Sequence, residues 1–95
     1  MTDLTSVIGR LCVFKSGPGL YDYELTCDGQ SLLSGDGFGS IREAIQAAAD
    51  ITGPITALEV AYGGITAGTF TLYQLRASAE QIAQHAVGTY AAVTS

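Results

Sequence analysis

Tyr21, Tyr23, Leu25 and Cys27 alternate with Asp22, Glu24, Thr26 and Asp28, and Asp28-Gly29 follows at once. Strict alternation fits only a strand with one buried face and one wet face. An Asp-Gly step supplies the two positive-φ positions of a tight hairpin. These nine residues commit the chain to antiparallel sheet. They predict a strand over 21–28, a return strand near Gln30 to Ser34, and Leu25 opposite Leu32. Val7 to Lys15 reads as an earlier strand, separated from Tyr21 by the turn residues Ser16-Gly17-Pro18-Gly19. A three-stranded meander results.

The next signal changes period. Ser40 and Glu43 form an S-x-x-E capping box, and Ile41, Ala44, Ile45, Ala48 and Ile51 recur at helical spacing. Gly53-Pro54 is a stop signal, because glycine suits the left-handed cap and proline cannot extend the ladder. Alternation resumes over Ile55 to Tyr62. A glycine-rich connection over 63–68 leads to a fifth strand expected over Thr69 to Arg76. Ser78 and Gln81 repeat the capping pattern and open a second helix through His85, which Gly88 should end or bend. The order is βββαββα: an α+β, two-layer fold with a mainly antiparallel sheet of five strands and two helices on one face. The 95 residues make one small domain, 1–95, with flexible ends.

Charge bounds the partners. Four basic residues stand against nine acidic ones, for a net charge of −5. Arg10, Lys15, Arg42 and Arg76 form no cluster that could neutralise phosphates, so direct nucleic-acid binding lacks its main driving force. The same shortage argues against an anionic membrane surface. No apolar run reaches membrane-spanning length, and the start lacks the basic and apolar regions of a signal peptide. The expected compartment is the cytoplasm, where Cys12 and Cys27 stay thiols and read as small core hydrophobes.

Catalytic chemistry has little to work with. His85 is the one histidine, and neither C-x-x-C nor H-x-x-x-H occurs, so no metal and no cofactor is expected. Gly35-Asp36-Gly37-Phe38-Gly39 has the wrong spacing for a dinucleotide loop, and Asp36 would repel an anion. Binding surfaces remain. Asp22, Glu24 and Asp28 line the wet side of one strand at steps of about 7 Å, with Glu59 and Asp36 expected nearby. Tyr73 and Leu75 are expected on an exposed part of the fifth strand. Tyr21, Tyr23, Tyr62 and Tyr73 are the candidate aromatic anchors.

The expectation is a non-catalytic protein-binding module that meets a basic partner through its acidic face and associates with itself through apolar sheet surface or an edge strand. A second reading is a small acidic inhibitor of the kind phages direct at host defence complexes (anti-CRISPR-like), covering a basic nucleic-acid-binding groove. It rests on size, acidity and the missing catalytic set, an analogy of class and not a sequence resemblance. A third is an enzyme or ligand-binding domain with a site between subunits, using His85 with Glu80 or Asp36.

Overall fold

The structure is a computed structural model that describes residues 7–27, 29–50 and 55–94. Five strands, β1 (Val7–Gly17), β2 (Leu20–Cys27), β3 (Gln30–Phe38), β4 (Ile55–Tyr62) and β5 (Ile65–Thr71), form one sheet in the order β3-β2-β1-β4-β5. Three helices among the described residues, α1 (Ile41–Ala49), α2 (Leu72–Ala77) and α3 (Ala79–Thr94), complete an α+β fold. Helix α1 packs on β1, β2 and β3, and α3 on β4 and β5, so the helices share one face of the sheet.

Alternation sorts β2 and β4 between the two faces as the sequence predicts. On β1 the buried face is that of Leu11 and Val13, so Cys12 turns outward and is not the core residue expected. Leu11 and Val13 pair with Leu25 and Tyr23 on one side, and with Val60 and Tyr62 on the other. These residues, with Leu58, Ile41, Ala44, Ile45, Ala48, Leu75 and Ile82, make the core between sheet and helices. Ile8, Arg10, Cys12 and Phe14 alternate with them and therefore face away from the helices.

The helix after Ser40 forms as its capping signal predicts. The Glu43 N–H donates to Ser40 Oγ at 3.1 Å, while the Glu43 carboxylate accepts from the Gly39 N–H at 3.0 Å, one residue upstream of the cap. Ile51 and the Gly53-Pro54 stop signal lie outside the described residues.

Four details differ from the sequence expectations. First, β1 and β4 pair in parallel at the centre of the sheet, because α1 carries the chain from the β3 edge across β2 and β1. Second, Leu25 faces Leu33 and not Leu32. An irregularity in register between Leu25 and Thr26 absorbs Leu32 as an extra residue.

Third, the fifth strand begins at Ile65, directly after the Gly63-Gly64 turn, and ends at Thr71. Thr71 caps α2: its hydroxyl accepts from the Gln74 N–H at 3.1 Å, and the Gln74 side chain accepts from the Thr71 N–H at 2.8 Å. The T-x-x-Q capping box and the burial of Leu75 outweigh the strand preference of Leu72, Tyr73 and Leu75. Ser78 closes α2, and its carbonyl accepts the Ile82 N–H at 3.0 Å.

Fourth, α3 runs through Gly88 without a break to Thr94. Tyr90 packs edge-on against Tyr62, with ring centroids 5.1 Å apart. That anchorage offsets the cost of about 1 kcal/mol for glycine inside a helix.

Candidate functional site

The face of the sheet turned away from the helices is the candidate interface. Its middle strands place Phe14 opposite Asp22 and Cys12 opposite Glu24. Phe14 is 43% exposed; Ile8, six residues away on β1, and Leu20, at the start of β2, are exposed as well. Asp22, Glu24 and Asp36 line one shallow depression of about 420 Å3 together with Phe14 and Ser34. Three carboxylates and an exposed ring thus converge where β1, β2 and β3 run side by side.

Asp22 also holds the fold. Its Oδ1 accepts from Ser16 Oγ at 3.0 Å and from the Gly37 N–H at 3.2 Å, tying the end of β1 and the far half of β3 to β2. Glu24 and Asp36 are exposed.

Glu59 stands apart. It lies on the same face but two strands away, opposite Arg10, whose guanidinium is 3.8 Å from its carboxylate. Both side chains are well exposed, so the pair adds little stability, yet it cancels the charge Glu59 would bring to the acidic depression. Asp28 lies outside the described residues. Tyr73 is 77% exposed on α2, on the helical layer, so it cannot belong to a surface on the open sheet face. Leu75 is fully buried, 0% exposed, because α2 turns it into the core; it is unavailable to a partner.

The tyrosines divide in the same way. Tyr23 is in the core beside Phe38, and burial raises its phenol above the ordinary value. Tyr21, Tyr62 and Tyr90 stack in series at the opposite end of the sheet from the β2–β3 turn. Burial, then the neighbouring phenols of Tyr21 and Tyr90, raises Tyr62. The ring centroids stand 6.5 and 5.1 Å apart, so the rings fill one another's space and leave no cage for a cation between them.

The remaining candidates do not assemble. His85 Nε2 sits 3.1 Å from the Ala67 carbonyl, in a groove of about 340 Å3 with Phe70, Gln74 and Gln81. Glu80 lines a different groove, where it meets Arg42 at 3.4 Å and accepts from Gln84 at 3.0 Å. Asp36 is on the far edge strand, so neither carboxylate joins His85. Cys12 and Cys27 are free thiols on opposite faces of the sheet by register, an arrangement that no disulfide can bridge. Among the described residues no three His, Cys, Asp or Glu side chains gather as metal ligands. No helix among them is long and apolar enough to cross a membrane.

Sequence reasoning missed the exposure of Phe14. The signal was present, since Phe14 has the opposite parity to Leu11 and Val13 on the same strand. No family model, curated protein or solved structure matches the chain.

Proposed function

We propose that the protein is a non-catalytic binding module that presents its open sheet face to a basic protein surface and associates with a second copy of itself. The observation that carries the reading is the convergence of Asp22, Glu24 and Asp36 around Phe14 on the face without helices. Fixed carboxylates would steer a Lys- or Arg-rich surface in, and the phenyl ring would give the contact an apolar centre. A sheet is a rigid platform for this purpose, because β1 holds Phe14 and β2 holds both Asp22 and Glu24 in register. A cytoplasmic setting, with Cys12 and Cys27 reduced, belongs to the same proposal.

A second reading follows from the carboxylate spacing. Asp22 and Glu24 are one strand repeat apart, about 7 Å, close to the separation of successive nucleic-acid phosphates. A basic groove built for a nucleic acid would therefore accept this strand as a competitor.

The test is a chemical-shift titration with an arginine-rich peptide. The amides of Asp22 to Glu24 and Ser34 to Asp36 should shift, the effect should weaken with salt, and Glu24→Lys with Asp36→Lys should abolish it. Asp22 is left unchanged because of its part in the fold. Shifts confined to other surfaces would remove the acidic face from the proposal.

A further inference from the structure

The depression on the open sheet face has two features that a merely negative surface lacks. The first is charge without an internal counter-ion. Two of the four basic residues are engaged elsewhere, Arg10 by Glu59 at 3.8 Å and Arg42 by Glu80 at 3.4 Å. Lys15 has the parity of Leu11 and Val13, which turns it toward the helical side of the sheet, and Arg76 lies on α2. Among the described residues no ion pair reaches Asp22, Glu24 or Asp36. The Ser16 hydroxyl and the Gly37 N–H both donate to Oδ1 of Asp22, so Oδ2 takes neither.

The second feature is the ring. Phe14 is directly opposite Asp22 in the β1–β2 register and lines the depression with the three carboxylates and Ser34. An exposed phenyl ring by itself suits any apolar contact. Beside carboxylates that lack a cation, it suits a cation with a flat face.

We infer that the depression takes one arginine side chain of a protein partner, its guanidinium lying against Phe14 and its N–H groups on the carboxylates, and that lysine is a poor substitute. The assignment rests on the basic-partner reading and names the residue that anchors it. Charge complementarity selects a cation, and three properties of the cation select arginine. A guanidinium is planar and weakly hydrated, so it leaves water for an aromatic surface more readily than an ammonium does. Its five donors spread around one plane, so its rim can serve carboxylates on β2 and β3 while its face stays on the ring. The third property is reach. An ammonium bonds at about 2.7–2.9 Å and so joins carboxylate oxygens no more than about 6 Å apart. Positions 22 and 24 are about 7 Å apart along β2, a step that the wider guanidinium spans.

Two Gly-Ser-spaced peptides test the assignment, one with arginine and one with lysine at the same positions. Each is titrated into the protein at low salt and followed by amide chemical shifts. The arginine peptide should bind about two- to fivefold more tightly, the range that an exposed cation–ring contact supplies. Phe14→Leu keeps an apolar side chain at an exposed position, so the far-ultraviolet spectrum should stay unchanged while the two affinities converge. In the native protein the arginine Cδ protons should also move upfield in the ring current of Phe14, and Phe14→Leu should remove that shift. Equal affinities, with salt-sensitive shifts at Asp22 to Glu24 and Ser34 to Asp36, would overturn the arginine anchor and leave docking to a basic surface standing. A preference for arginine that survives Phe14→Leu would overturn the ring contact. Failure of both peptides to bind would overturn the anchor and the docking reading together.

Discussion

Gly63→Ala is the substitution that probes the least predictable contact in the fold. Gly63 has φ of 59°, in the left-handed region, where an alanine costs about 1–2 kcal/mol. A Cβ built there would stand 2.8 Å from Cδ1 of Tyr90 and closer still to Cε1. Ordinary carbon contacts lie near 3.5–4.0 Å, so the ring must move by about 1 Å. That movement breaks its edge-on contact with Tyr62, worth roughly 0.5–1.5 kcal/mol. The sum is about 1.5–3.5 kcal/mol, or on the order of 10–20 °C in Tm for a domain of this size. Thermal and urea unfolding followed by circular dichroism measure it. Tyr90→Ala supplies the control: in that background Gly63→Ala should cost only the backbone part, about 1–2 kcal/mol. An equal cost in both backgrounds, or a loss well under 1 kcal/mol in the native chain, would refute the placement of the α3 end against the β4–β5 turn.

Two further outcomes follow from burial. Leu75→Ala should lose about 2–5 kcal/mol of stability because its side chain is wholly inside, whereas Tyr73→Ala should stay within about 0.5 kcal/mol; urea melts of the two variants separate them, and comparable losses would contradict helix α2. Tyr23 and Tyr62 hold their protons above the ordinary phenol value of 10.0 when folded, by burial in both and by Tyr21 and Tyr90 for Tyr62. The unfolded chain releases those protons first, so the stability is complete below about pH 10 and is lost as pH rises through the folded values. Alkaline unfolding of the Tyr23→Phe, Tyr62→Phe protein should therefore move to higher pH, and an unmoved midpoint would contradict the burial of the two phenols.

The parts of the fold that were legible from sequence are those written in local code. Tyr21 to Cys27 alternates because one face is buried, and that pattern survives any arrangement of the other strands. Ser40 and Glu43 mark a helix start through bonds made within four residues. The Thr71-x-x-Gln74 capping signal went unread because two patterns overlap: it opens a helix, yet Leu72, Tyr73 and Leu75 also suit a strand. Only the core's need for Leu75 decides between them. The parallel β1–β4 pair and the extra residue at Leu32 depend on contacts distant in sequence, which local spacing does not record.

The candidate site was legible to the same extent. Asp22 and Glu24 fall on one face by parity alone, and the structure sets them there. Asp36 joins them because β3 extends to Phe38, beyond the return strand that spacing predicts. Glu59 drops out because Arg10, nearly 50 positions away, faces it across the β1–β4 pair. Charge neutralisation of that kind is a property of register, so the sequence lists the carboxylate and leaves out its counter-ion.

The pairing of β1 with β4 has a consequence for how the molecule assembles. Strands β1 to β3 can zip up from their own turns, and so can β4 and β5, because each partner is a short loop away. Among the described residues only the seam from Val7–Ile55 to Val13–Tyr62, extended by the Gly63 N–H to the Val13 carbonyl at 3.0 Å, joins these halves within the sheet. Closing it brings together residues separated by some 50 positions, at a loop entropy of roughly 3 kcal/mol before any contact repays it. The chain therefore behaves kinetically as two hairpin assemblies that must dock. That docking step is expected to limit the folding rate.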